Sequence, residues 1–310
     1  MKRLIVTADD VGLHAGMTAG ALLAHDRGIV TAVSVAANGA AFSEAVMLLR
    51  ERPGLDVGVH LVLTAERPLS PPTEIPSLLG SGGRFLPGFR ALAWRYFAGR
   101  VRESEVELEW RRQIERVMAA GLRPLHLNSH QHLHALPRLF PIAMRLAGEA
   151  GIPFVRVPAD PAAGQGFAPR NWEIAALNHL GRRARAMLPE GAPSLLVRRT
   201  VGVMAAGRLS LKRLGPVLAL VRDVSELVCH PGLDDAALAR AYRWRYRWQE
   251  EAAALCDPRV AEMMRSAGVE VSRFSAVRIL GQDAGRGWIA EDFDAMPADL
   301  QSLFDGAKDE

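Results

Sequence analysis

The stretch "HLNSHQHLHALP", His126–Pro137, packs four histidines into a chain that holds nine in 310 residues. If Pro124 to His130 is extended, side-chain alternation sends Leu125 and Leu127 to one side, and His126, Asn128 and His130 to the other. One apolar and one polar face describe a strand backed by a core. Pro137 then marks a turn or helix start. His132 and His134 keep the same parity only if the extension persists. Side chains two apart on a strand are separated by roughly 6.6 Å, so two imidazoles can meet at one ion and five polar groups cannot. At most one or two of these side chains are ligands, and the rest orient them, line a pocket or bind substrate. An exposed polar loop, a buried hydrogen-bonding cluster or an adventitious metal trap is the plainer alternative.

Outward from this strand, short β-branched runs alternate with helical patterns, which predicts βα units and a parallel sheet. "RLIVTADD", "VTAVSVAAN", "LDVGVHLVL", "IPFVRVP", "RRTVGVM", "SELVCHPG" and "VEVSRFSAV" read as strands. Helices fall near residues 15–27, 40–51, 103–120 and 209–221, and after Pro137. The expected architecture is one α/β domain, a distorted parallel (β/α) barrel resembling a TIM barrel. Insertions are expected near 64–99 and 159–199, where Pro, Gly and polar residues interrupt the pattern.

Composition narrows the function. The chain is 49% hydrophobic with a net charge of +4, and no apolar run approaches the ~18 residues of a spanning helix. "MKRLIVTADD" lacks a signal peptide's apolar region, so a cytoplasmic protein is expected. Two cysteines without CxxC spacing argue for reduced thiols. There is no basic stripe with stacking aromatics for nucleic acid, no Walker or GxGxxG signature and no GxSxG elbow. "RAYRWRYRWQEE", Arg240–Glu251, alternates arginines with aromatics. At helical spacing Trp244 and Trp248 share a face for core packing; peripheral contact with an anionic inner membrane is the sharper alternative.

In parallel α/β folds reactive groups collect at the C-terminal ends of strands. Asp9 and Asp10 end the first strand, His60 lies in the third, His130 closes the central one and His230 ends a late one. Adjacent aspartates diverge on an extended backbone, so one can bind an ion while the other faces a water beside it. One carboxylate and two imidazoles make a three-ligand metal site with open positions. A second carboxylate can take a proton from water and a histidine opposite can give one to a leaving group, which is hydrolysis of a carbonyl compound.

"TADDVGL", "GVHLVLT", "PLHLNSHQHLH" and "LVCHPG", in that order, resemble the YdjC-like carbohydrate deacetylases, relatives of chitooligosaccharide deacetylase. The resemblance implies a distorted β/α barrel that removes an acetyl group from N-acetylated sugars with one divalent metal ion, Zn2+ or Mg2+. It implies Asp10, His60 and His130 as ligands, Asp9 as general base and His230 as proton donor to the amine. His134, Asn128, His126 and His132 are candidates for orienting ligands or facing substrate. The family's central motif usually has Asp where Asn128 stands. That departure and the basic-aromatic segment look most like the branch associated with hopanoid biosynthesis, which implies an N-acetylglucosaminyl hopanoid glycolipid as substrate. Rival readings are another metal-dependent hydrolase, of a phosphoester or cyclic amide, and a carbohydrate- or lipid-binding protein with a residual metal site.

Overall fold

The computed structural model describes residues 2–158 and 169–277. Its strands are β1 (Lys2–Val11), β2 (Ala32–Val35), β3 (Asp56–Leu61), β4 (His126–Ser129), β5 (Phe154–Val155), β6 (Val197–Val201), β7 (Val224–Cys229) and β8 (Val269–Ser272). The helices are α1 (Ala15–Asp26), α2 (Phe42–Arg50), α3 (Phe89–Phe97), α4 (Glu103–Ala119), α5 (Phe140–Glu149), α6 (Pro169–Ala186), α7 (Leu211–Ala219), α8 (Asp235–Ala241), α9 (Trp248–Cys256) and α10 (Arg259–Ala267).

Every named strand pairing is parallel, in the order β5-β4-β3-β2-β1-β7-β6, with β8 set against the first half of β1. Parallel neighbours require crossovers, and the helices supply them. Among the described residues no main-chain ladder joins β5 to β6. Side chains close that gap instead: Thr200 Oγ1 donates to the Val157 carbonyl at 3.0 Å, and the Val155 N–H donates to Ser194 Oγ at 2.8 Å. The curled sheet is therefore a distorted, incompletely laddered barrel, in keeping with the alternation read from the sequence.

Central position explains composition. β1 is flanked on both sides and buried from Leu4 onward, so it reads as a continuous apolar run that breaks into carboxylates only at its end. α4 buries Val106, Trp110, Ile114 and Val117 along one stripe, and each such side chain contributes about 1.5–3 kcal/mol.

The same helix anchors the insertion after β3. Glu109 accepts from the Leu69 and Ser70 amides at 3.0 and 2.8 Å, Glu105 from Ser77 at 2.7 Å, and Gln113 bonds both main-chain groups of Val62. The insertion also contains α3. Of the second expected insertion, residues 159–168 lie outside the described residues, and the remainder is α6, a short 3-10 turn at Pro193–Leu195 and β6. Among the described residues no helix is long and apolar enough to cross a membrane.

One expectation is corrected. Trp244 and Trp248 do not share a helix, because α8 ends at Ala241 and α9 starts at Trp248. Between them Tyr242, Trp244 and Tyr246 are half-buried while Arg243, Arg245 and Arg247 are exposed. An aromatic-arginine repeat has period two, and a helix with 3.6 residues per turn cannot bury one set and expose the other.

Candidate active site

The first strand solves a geometric problem at its end. Ala8 pairs with Val33 but Val11 with Val35, three steps on β1 against two on β2, and Asp10 takes φ 66°. This bulge re-aims consecutive side chains, and aspartate tolerates the left-handed conformation better than most residues. Asp9 and Asp10 consequently both reach the buried network at this end of the sheet.

Asp10, His60 and His130 converge there, all buried. Asp10 Oδ1 lies 3.0 Å from His60 Nε2 and 2.8 Å from His130 Nδ1, and the two nitrogens are 3.5 Å apart. Ligands held at 2.0–2.1 Å in a tetrahedral set stand about 3.3 Å from one another, and the three separations bracket that value. Two imidazoles and a carboxylate suit a divalent ion of the zinc type by donor chemistry. The residues present therefore fit a metal. Burial alone would raise the Asp10 carboxyl, but the charge and hydrogen bond of His130, then those of His60, hold it well below the usual carboxylate range.

The β3–β4 register aligns His60 with Asn128. Asn128 Nδ2 lies 3.1 Å from Asp9 Oδ1 and 2.6 Å from Ser34 Oγ, so its Oδ1 faces His60 Nδ1 at 2.7 Å. An amide oxygen only accepts, so His60 donates from Nδ1, which leaves Nε2 as the nitrogen that faces Asp10 and can ligate an ion. Asn128 thus sets a neutral group against Asp9.

Asp9 is gripped from its other side by Arg156, with Nη1 to Oδ2 at 2.5 Å and Nη2 to Oδ1 at 3.0 Å. The same guanidinium binds Glu226 through Nε at 3.0 Å and Nη2 at 2.7 Å. All three side chains are buried. Burial raises the Asp9 carboxyl, yet the Arg156 charge, followed by His60, more than offsets it and holds Asp9 far below its ordinary value. Asp9 is an ionised, oriented acceptor.

The remaining histidines separate by surroundings. His126 shares a row with Ser34 and Gly58, where a β-carbon on Gly58 would overlap the imidazole; it bonds Ser34 at 3.0 Å and stacks on Phe274 at 4.4 Å. Burial, then Arg156, pushes its pKa down to about 3. His134 bonds the Arg156 carbonyl through Nε2 at 2.8 Å, which makes Nδ1 the acceptor from Ser129 Oγ at 2.6 Å. With both nitrogens engaged and its pKa lowered to about 4 by burial, it braces the turn that presents His130. That turn leaves the strand abruptly, because Gln131 and His132 sit at φ 56° and 54°. His132 is half-buried, its pKa pushed well down by burial, and its Nδ1 finds no hydrogen-bond partner among the described residues.

His230 follows β7 and is half-buried, with its ring 5.3 Å from Tyr246. Its Nδ1 is buried without a hydrogen-bond partner among the described residues, and its charge is one of those that lower Asp9. The loop is fixed through its backbone: the His230 N–H donates to buried Glu251 at 2.6 Å, which also takes the Leu209 N–H at 2.9 Å. Trp244 stands over His130 at 5.0 Å and beside Tyr242 at 4.4 Å. The aromatics between α8 and α9 thus turn toward the site, not away from the protein.

Arg156 and Glu226 were not among the residues singled out from sequence, although each is a charge inside an otherwise apolar strand run, which is a detectable signal. Ser34, Trp244 and Glu251 carry no comparable mark.

A family profile described as YdjC-like protein matches residues 3–266, and the chain belongs to that family. It is 30% identical to a carbohydrate deacetylase of Geobacillus stearothermophilus over 86% of this chain and 94% of that protein. It is 29% identical to a chitooligosaccharide deacetylase of Serratia marcescens, over 84% and 89% respectively. A further relative, 42% identical, is matched over only 59% of its own length and 50% of this chain. A solved structure from Enterococcus faecalis, described as "a putative cellobiose-phosphate cleavage protein", superposes with a TM-score of 0.67 at 26% identity, covering 89% of this chain and 98% of that one.

Proposed function

We propose that this chain is a metal-dependent carbohydrate deacetylase that hydrolyses the N-acetyl group of an N-acetylglucosamine-type sugar to acetate and the free amine. The observation that carries this reading is the adjacency of Asp9, held ionised by Arg156, to the convergent triad Asp10, His60 and His130. The names of the two long-spanning relatives, a carbohydrate deacetylase and a chitooligosaccharide deacetylase, supply the substrate class.

Asp10, His60 and His130 would hold the ion, which would supply a Lewis acid for the acetamide carbonyl. Asp9 accepts the proton of the attacking water, and Arg156 and Asn128 keep its carboxylate aimed. His230 delivers a proton to the departing nitrogen as the C–N bond breaks, so that water is consumed and its oxygen ends in acetate. Trp244 walls the site beside His130, and Tyr246 beside His230. Asn128 and the exposed Arg243, Arg245 and Arg247 support a finer reading, that the sugar belongs to an N-acetylglucosaminyl hopanoid glycolipid, met by a cytoplasmic protein at the inner membrane.

The test is acetate release, with mass spectrometry of N-acetylglucosaminyl hopanoid and chitooligosaccharides incubated with protein and Zn2+ or Mg2+. Loss of an acetyl mass is expected, abolished by chelation and by Asp9→Asn in a protein that retains its metal. Phosphate release without acetate, or unaltered sugar throughout, overturns the reading.

A further inference from the structure

The outer face of α3 has no use in the site just described. Among the described residues the exposed Phe, Trp and Tyr side chains are Phe89, Trp94 and Phe97, exposed by 39, 63 and 70%, and all three belong to this helix. The other exposed large apolar residues, Met47, Met118, Met187, Leu196 and Val271, are dispersed along the chain. Scattered apolar side chains are ordinary on a protein surface, whereas three aromatics on one nine-residue helix are not.

The helix itself is firmly seated. Leu92, Ala93 and Tyr96 are buried, the Arg138 guanidinium lies 4.5 Å from the Tyr96 ring, and Arg95 donates to the Ser77 and Leu79 carbonyls at 3.1 and 2.7 Å. Its outward aromatics are therefore displayed on a rigid support. Positive charge accompanies them. Arg100 sits 5.2 Å from the Trp94 ring. Arg100 and Arg102, with Pro76, Ser77 and Gly99, line an open depression of about 460 Å³ next to the C-terminal end of the helix, where Arg102 also pairs with Glu105 at 3.1 Å.

We infer that this face docks on an anionic phospholipid bilayer. Trp and Phe favour the boundary between headgroups and acyl chains, and arginines beside them meet the lipid phosphates. The size of the patch points the same way. Trp94 and Phe97, three positions apart on one face, offer about 300 Å², well under what each partner contributes to a stable protein interface, but enough to seat a helix in an interface that charge also attracts. The position is apt as well. A β-carbon on Gly88, the residue before α3, would lie 3.8 Å from the Gln131 amide nitrogen, so the first turn of the helix abuts the loop that carries His130. Docking here brings the end of the sheet that holds the triad toward the lipid surface.

This inference stands apart from the deacetylase reading, since vesicle binding is measured without turnover. The full-length protein is floated with phosphatidylcholine vesicles containing about one third phosphatidylglycerol, and with vesicles of phosphatidylcholine alone. Binding to the anionic vesicles should be at least tenfold tighter and should weaken with salt. Trp94→Ser with Phe97→Ser should reduce it at least tenfold, and Arg100→Glu at least fivefold, because each arginine near an anionic surface contributes on the order of fivefold. Melting temperature and any acetate release from a soluble chitooligosaccharide should be unchanged in these surface variants. Brominated lipid should quench the wild-type fluorescence, and Trp94→Phe should remove most of that quenching. Equal binding to both vesicle types, no binding, or binding indifferent to the variants overturns the inference. A dimer in light scattering that dissociates in the double variant does so too, by assigning the patch to a second copy of the chain.

Discussion

The Arg156 guanidinium clasps both oxygens of Asp9 while sharing its remaining face with Glu226, so one buried cation serves two buried carboxylates. Removing one member of such an arrangement leaves charge stranded, which costs about 3–5 kcal/mol. Arg156→Met is accordingly expected to lose stability on that scale in denaturant titration. Arg156→Lys keeps the charge but not the fork, and should fall between. Adding Glu226→Gln to Arg156→Met should recover part of the stability without restoring activity, because Asp9 stays unaimed. Additive losses in this cycle would separate Glu226 from the network.

Asn128 is expected to act on metal affinity through His60. Its carbonyl fixes the proton on His60 Nδ1, and outer partners of this kind are typically worth 10–100-fold in affinity. Asn128→Ala should weaken metal binding within that range by competition with a chelator, while circular dichroism stays native. Asn128→Asp still accepts from His60 but sets a carboxylate where the amide lay 3.1 Å from Asp9. It should therefore retain metal better than the alanine variant yet cost stability through a buried like-charge pair.

The alternation of strands and helices was legible because buried parallel strands need continuous apolar runs, and the places where polar residues interrupt those runs at the strand ends marked Asp9, Asp10, His60, His130 and His230. What was hidden depends on backbone departures from regularity. Two adjacent aspartates point apart on an ideal strand, and only the bulge with its left-handed Asp10 turns both into the network. The parity that would have carried His132 and His134 along the polar face ends at Gln131, where the chain turns back. Arg156 went unremarked because its partners, Asp9 and Glu226, lie 147 and 70 positions away, and no local pattern reports such a meeting. Period two in the aromatic-arginine stretch was visible, but two tryptophans four apart also satisfy a helix.

Gly20 tests how the His230 loop is held. A β-carbon on Gly20 in α1 would overlap the backbone of Gly232, and one on Gly16 would overlap the Leu233 carbonyl. Gly20→Ala gains up to about 1 kcal/mol of helix propensity, but backbone cannot yield as a side chain can, so a net loss of about 1–3 kcal/mol is expected. Turnover should fall with metal content unchanged, because the displaced loop carries His230 and not a metal-triad residue. Gly148→Ala in α5, where the added carbon meets nothing within 4 Å, should be neutral or slightly stabilising. Equal behaviour of the two variants would dissociate the glycine contact from the site.

On the far side of α4, Glu107 takes Arg145 at 2.7 Å and Arg111 at 3.2 Å, and both arginines also reach Glu149. The hydrogen bond from Arg145 is the chief cause that brings the Glu107 carboxyl down to about 2. A carboxyl lower in the folded than in the unfolded chain stabilises above its ordinary value near 4.5, and the gain disappears as pH falls from there to about 2. Because these side chains remain partly in water, the gain is about 1 kcal/mol and not what a buried pair would return. Glu107→Gln should therefore lower stability by that amount at pH 7 and in low salt. The difference from the wild type should shrink between pH 4.5 and 2, and also at high ionic strength. A gap that stays constant across that acid range would mean that packing of the α4–α5 contact, and not the charge of Glu107, is responsible.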